Sequence, residues 1–129
     1  MKLHTSVNQF YQTITAYETD FVKINDVSFN TSLLVTPTTA PVSLNIDDYK
    51  DLSSAIIEQM MATAPDVVLL GTGKQQHFLP GNLSKVFLQK NIGIETMSND
   101  AACRTYNILM AEGRKVTLCL IFENQTASA

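Results

Sequence analysis

The stretch VVLLGTGKQQHFLP, residues 67–80, decides how this chain is read. Val67 to Leu70 form a continuous apolar run leading straight into Gly71-Thr72-Gly73-Lys74. Such a run reads as a strand buried on both faces, as in the interior of a parallel sheet. The loop after it invites comparison with a phosphate cradle. A P-loop requires Gly-x-x-x-x-Gly-Lys-Ser/Thr, with the hydroxyl placed to bind magnesium. Here Val68 stands in the first glycine's place and Gln75 follows Lys74. A dinucleotide fingerprint requires a third glycine, where this chain has Gln76, and Pro80 separates the loop from the next helix. Neither common nucleotide motif is present.

Outward from this stretch the chain alternates. On the N-terminal side, Tyr49, Leu52, Ala55, Ile56 and Met60 recur at helical spacing. Asp47 is the expected cap, Asp48 and Asp51 favour the positive helix end, and Pro65 stops any continuation. On the C-terminal side a helix is predicted over residues 82–90, with Leu83, Val86 and Phe87 inward. A short strand at residues 94–97 follows. A third helix, capped by Ser98 or Asn99, turns Ala102, Tyr106, Leu109 and Met110 inward and ends at Glu112-Gly113. Residues 116–122 form a long apolar strand, and residues 123–129 a flexible tail.

Residues 1–46 are richer in strand formers. Asn25-Asp26 separates Val22 and Ile24 from Val27 and Phe29, a turn signal between two short strands. Residues 32–36 read as a strand closed by Pro37, residues 36–41 as a loop, and residues 42–46 as a further strand. The expectation is one α/β domain over residues 1–129: a β-rich half at 1–46 and an alternating half at 47–122. It would form three layers, a partly parallel sheet with helices plus N-terminal antiparallel hairpin strands.

Composition excludes several classes of function. The 129 residues are 45% hydrophobic and 16% charged, with a formal net charge of −3. There is no Lys/Arg run and no aromatic set between basic residues, so nucleic acid is not an expected partner. No apolar stretch is long enough to span a bilayer. The first residues lack the apolar block of a secretory signal, and the expected location is the bacterial cytoplasm. The two cysteines, Cys103 and Cys119, imply no disulfide framework, and with His4 and His77 they give no zinc spacing. No metal or other cofactor is expected.

The candidate site lies at the C-terminal edge of the predicted parallel strands, where open α/β sheets bind ligands. Gly71, Gly73, Lys74, His77 and Arg104 are the candidate ligand-binding residues, suited by charge to a small anion. The plainer reading is that the glycines allow a tight turn and that Lys74 and His77 are solvated. Cys103 near a helix N-terminus is a candidate nucleophile, or else a small core residue. Glu95 and Arg104 read as catalytic or as a structural ion pair, and with one carboxylate near the loops, paired acid/base chemistry is unsupported. Asn107 reads as a tie to neighbouring backbone. No set of residues reads as catalytic.

The longer stretch LLGTGKQQHFLP, with GIETMSNDAACRTYNILMAEGRKVTLCLIF, resembles the family of the mitochondrial complex I assembly factor 3 proteins and their bacterial relatives. The resemblance covers roughly residues 65–122, and more loosely INDVSFNTSLLVTP. It rests on Gly71, Gly73, Glu95, Met97, Ala102, Thr105, Tyr106, Asn107, Glu112, Gly113 and Arg114. Family members usually have Thr where Asn99 stands. The resemblance implies a compact three-layer α/β domain without established catalytic activity, and a role in assembling a membrane complex. The expected function is therefore a non-enzymatic accessory protein with protein partners or self-association, peripheral to membranes through a partner. The interacting face is expected within residues 21–35. The alternative is a small-anion or metabolite-binding domain or enzyme at the Gly71 loop edge.

Overall fold

The structure, a computed structural model, describes residues 11–123. His4 and residues 124–129 of the expected tail lie outside the described residues. Strands β1 (Ile14–Glu18), β2 (Phe21–Ile24) and β3 (Val27–Phe29) form a small antiparallel sheet in that order. Asn25 and Asp26 both adopt positive φ, 49° and 68°, and close the β2–β3 hairpin. Short polar side chains tolerate that conformation, and two such residues in succession match the strands' twist.

Strands β4 (Leu33–Thr36), β5 (Thr39–Ser43), β6 (Val67–Gly71), β7 (Gly93–Met97) and β8 (Val116–Leu120) form the main sheet, ordered β5-β4-β8-β6-β7. The segment expected as a loop at residues 36–41 is instead a tight turn entering β5. Pro41 lies within that strand. An edge strand tolerates proline because one side of it needs no donors. β6 runs parallel to β7 and β8, whereas β4 runs antiparallel to β8 and β5. The N-terminal hairpin strands thus do two things: β4 and β5 extend the sheet, and β1–β3 cover it.

Period-two alternation divides the sheet's side chains between two cores. Leu33, Val35, Leu69, Leu118 and Leu120 pack with helix α3 (Asn99–Ala111) and with Ile14, Val22 and Ile24 of the small sheet. Leu34, Val68, Leu70 and Cys119 pack with helices α1 (Ser54–Ala62) and α2 (Gly81–Gln89). This is a three-layer α/β fold.

The helix expected from Asp47 is broken. Asp48 accepts from the Lys50 N–H at 2.8 Å and caps a single tight turn at Tyr49–Asp51. Leu52 then turns extended, and Ser53 caps α1 by accepting from the Ile56 N–H. Two good capping residues five positions apart give two starts, and the buried face shifts to Ile57 and Met60. In α2, Leu83 and Phe87 face inward as expected. In α3 the inner face carries Ala102, Tyr106 and Met110 together with Cys103 and Asn107. Leu109 is half-buried against that core.

Candidate functional site

The loop after β6 is held by bonds that stay within the protein. Parallel pairing places Gly71 beside Met97, which brings Asn99 against Gly73. The Gly73 N–H donates to Asn99 Oδ1 at 3.1 Å, and the Asn99 N–H donates to the Gly73 carbonyl at 2.8 Å. Asn99 Nδ2 donates to the Ile121 carbonyl at 2.9 Å. One buried amide therefore joins the ends of β6, β7 and β8 at the start of α3. Gly71 is required by this closeness. A methyl group there would sit 2.4 Å from Asn99 Oδ1 and 2.9 Å from Leu120 Cδ2.

The next residues are tied in the same way. Thr72 Oγ1 donates to the Gln75 carbonyl at 2.7 Å and accepts from the His77 N–H at 2.9 Å. Gln76 Nε2 donates to the Thr96 carbonyl at 2.9 Å, covering part of the β7 edge. The His77 ring stacks on Tyr49, centroids 3.9 Å apart.

The five candidate residues are only partly brought together. Gly73 and Lys74 line a cavity of about 90 Å³ with Thr19, Asn99 and Glu123. Gly71, His77 and Arg104 do not line it. Arg104 pairs instead with Asp100, one turn earlier on α3, at 3.5 Å. Half-exposed on both sides, that pair contributes little. The expected Glu95–Arg104 pair is not formed among the described residues. Ser98 is the N-cap of α3 by position, but its hydroxyl donates to Asp100 Oδ1 at 2.6 Å and caps no backbone group. That bond is the main reason the Asp100 carboxyl is held below its usual range.

Cys103 is not placed as a nucleophile. It is fully buried, and burial, followed by the charge of Asp100, pushes its thiol up to about 12. A thiol in that state is inert at neutral pH. Among the described residues, no group of three or more His, Cys, Asp or Glu side chains is placed to hold a metal ion.

The outward ties of α3 are more extensive than the sequence indicates. Asn107 Oδ1 accepts from the Ile14 N–H at 3.0 Å and its Nδ2 donates to the Ile14 carbonyl at 2.8 Å. The side chain thus acts as a strand neighbour for β1, as its polar character on an apolar face suggested. Tyr106, fully buried, donates its hydroxyl to the Gln12 carbonyl at 2.6 Å. Met97 is half-buried against the core.

The profile of a family described as "Protein of unknown function (DUF498/DUF598)" matches residues 14–121. The chain belongs to that family. Over 76 residues, this DUF498/DUF598 protein is 32% identical to the 13 kDa major membrane protein of Francisella tularensis subsp. holarctica. That match covers 59% of this chain and 62% of the relative. Over 79 residues it is 32% identical to NADH dehydrogenase (ubiquinone) 1 alpha subcomplex assembly factor 3 of Xenopus tropicalis, covering 60% of this chain and 43% of the relative. The matched region is thus under two thirds of either relative's length.

Solved structures share the fold. A crystal structure of a Bordetella parapertussis protein is 35% identical with a TM-score of 0.83, covering 88% of this chain and 97% of that one. A solution structure of a Bordetella pertussis protein, a Mth938-like domain, is 30% identical with a TM-score of 0.81, covering 100% and 98%.

The feature that sequence reasoning missed is Asn99. Its bonds to Gly73 and Ile121 depend on strand register, and the available signal was a buried-type amide two residues beyond a strand that neighbours Gly-x-Gly. Of the large exposed hydrophobic side chains among the described residues, Val27 lies within residues 21–35, the expected interacting face, while the most exposed, Phe78 and Leu88, lie elsewhere, each at 78%. No helix of the described residues is long and apolar enough to cross a membrane.

Proposed function

We propose that this chain is a non-enzymatic accessory protein of the bacterial cytoplasm. It presents a surface to other proteins during assembly of a membrane or respiratory complex, and meets the membrane through a partner. The observation that carries this reading is its similarity to the complex I assembly factor 3 proteins. Its similarity to a major membrane protein is consistent with a peripheral station. The geometry agrees, because the residues of the family pattern around Gly71, Tyr106 and Asn107 act on the protein's own backbone. Phe78 and Leu88, with Val27 on the β3 edge, are the side chains offered to a partner.

The test is to delete the protein from its own cells and measure assembled NADH:quinone oxidoreductase in the membranes. The expected result is less assembled complex, restored by the native chain and not by Phe78→Asp/Leu88→Asp. Unchanged assembly in the deletion strain would overturn the reading.

One observation keeps a second reading, a small-anion or metabolite site at Gly71, Gly73, Lys74, His77 and Arg104. The cavity beside Gly73 and Lys74 has room for a few waters or one small anion. Against it, the Gly73 N–H already donates to Asn99, and the Glu123 carboxylate lies on the same cavity. Titration with inorganic phosphate, comparing the native chain with Lys74→Ala, separates the two readings.

A further inference from the structure

A larger cavity lies at the opposite end of the main sheet. Its volume is about 550 Å³, within the range of small-molecule sites. Three connections distant in sequence surround it: the β4–β5 turn, the α1–β6 loop and the α3–β8 loop. Two left-handed residues help shape it. Ala64 (φ 55°) and Gly113 (φ 80°) end their helices and turn the chain away.

The chemistry of the wall is uneven. Most of it is apolar, with the buried Met110 and Val116 at its base. Its hydroxyls largely bond to one another, Thr36 with Thr39 and Thr63 with Thr117. The charged groups are Arg114 and Lys115, adjacent and exposed. Among the described residues, neither makes an ion pair and no carboxylate lines the cavity. In a chain of formal net charge −3, this is a local reversal of sign. An apolar hollow with a few placed polar groups is the general form of a ligand site.

We infer that this cavity binds a small organic anion with an apolar body, a monocarboxylate whose hydrocarbon part packs on Tyr11, Pro37 and Ala62, above the buried Met110 and Val116. Arg114 and Lys115 hold the head group; the guanidinium can take a carboxylate through two parallel N–H bonds. The site is independent of the Gly71 loop and of the assembly role.

The test titrates the full chain with decanoate, following the methyl signals of Met110 and Val116 by NMR. Saturable shifts at those residues are expected, with decanol binding at least tenfold more weakly. Arg114→Gln/Lys115→Gln should weaken decanoate at least tenfold and leave decanol unchanged. Ala62→Trp, which fills the cavity from the exposed end of α1, should abolish both without lowering the melting temperature. The inference is overturned by the absence of saturable shifts at millimolar decanoate, by equal affinity for decanoate and decanol, or by shifts confined to the Gly71 end. If Ala62→Trp lowers the melting temperature, the glutamine pair alone decides the matter.

Discussion

Replacing Gly71 with alanine tests the account of the β6 loop directly. The new methyl would sit 2.4 Å from Asn99 Oδ1, 2.9 Å from Leu120 Cδ2 and 3.3 Å from Ala102 Cβ. Leu120 can swing its terminal methyl aside, but Asn99 is held at both ends of its amide. A retreat of about 1 Å by the oxygen is needed to reach an ordinary contact. Asn99 cannot make that retreat and keep both bonds. Overpacking costs about 1–3 kcal/mol and an orphaned buried N–H another 1–3, so Gly71→Ala should destabilise by about 2–6 kcal/mol. Asn99→Ala alone should cost about 2–5 kcal/mol, since it leaves the Gly73 N–H and the Ile121 carbonyl without their side-chain partner.

The two changes should not add. With Asn99 truncated, the closest contact is gone and Gly71→Ala meets chiefly Leu120, a cost of about 1–2 kcal/mol. Urea melts of the native, single and double variants form a cycle whose coupling should be about 1–4 kcal/mol, at unchanged m. If Gly71→Ala costs the same in both backgrounds to within about 0.5 kcal/mol, the two residues are independent and the reasoning fails.

Further outcomes are expected at Tyr106, at the two cysteines and at Ala64. Tyr106→Ala should cost about 3–5 kcal/mol in urea melts, as for other buried aromatics, whereas Tyr106→Phe should cost about 1 kcal/mol for the lost bond to Gln12. Burial is the main cause pushing the Cys103 and Cys119 thiols up to about 12 from an ordinary 9.0, so the folded state favours their protonated forms. Their contribution is therefore complete below pH 9.0 and lost as pH rises from there towards 12; urea midpoints should fall over that window, less so in Cys103→Ala/Cys119→Ala. At pH 8, a thiol reagent should label neither cysteine until the protein unfolds. Ala64→Gly relieves a left-handed alanine and should stabilise the protein by about 0.5–1 kcal/mol in thermal melts; a loss of stability would mean the methyl group is needed.

The apolar runs carried most of the architecture. Val67 to Leu70 reads as a strand buried on both faces, and it lies between β8 and β7. Asn25-Asp26 announces a hairpin through its own chemistry. The errors arose where two local signals competed. Asp48 and Ser53 both cap, and the sequence does not state that Leu52 between them turns extended. Pro41 reads as a breaker unless the strand is known to be an edge. The candidate site was less legible for a geometric reason. Asn99 acts across two neighbouring strands, and Arg104 pairs with Asp100 on its own helix. The cavity at the other end is built by residues near 37, 64 and 114, which only the folded chain brings together.

The position of β8 also bears on how the molecule forms. It is the last strand among the described residues, yet it sits third of five in the main sheet. Before it is added, β4 and β5 can pair as one hairpin, and β6 and β7 as one parallel couple, but nothing in the sheet joins the two. Any half-sheet formed during synthesis therefore has an inner edge open to other strands until residues 116–120 leave the ribosome. β8 then closes both edges in one event, through pairings as far apart in sequence as Leu33 and Leu120. Contacts of such separation make folding slow relative to helical proteins of this size. An inner edge left open before β8 arrives exposes the nascent chain to aggregation.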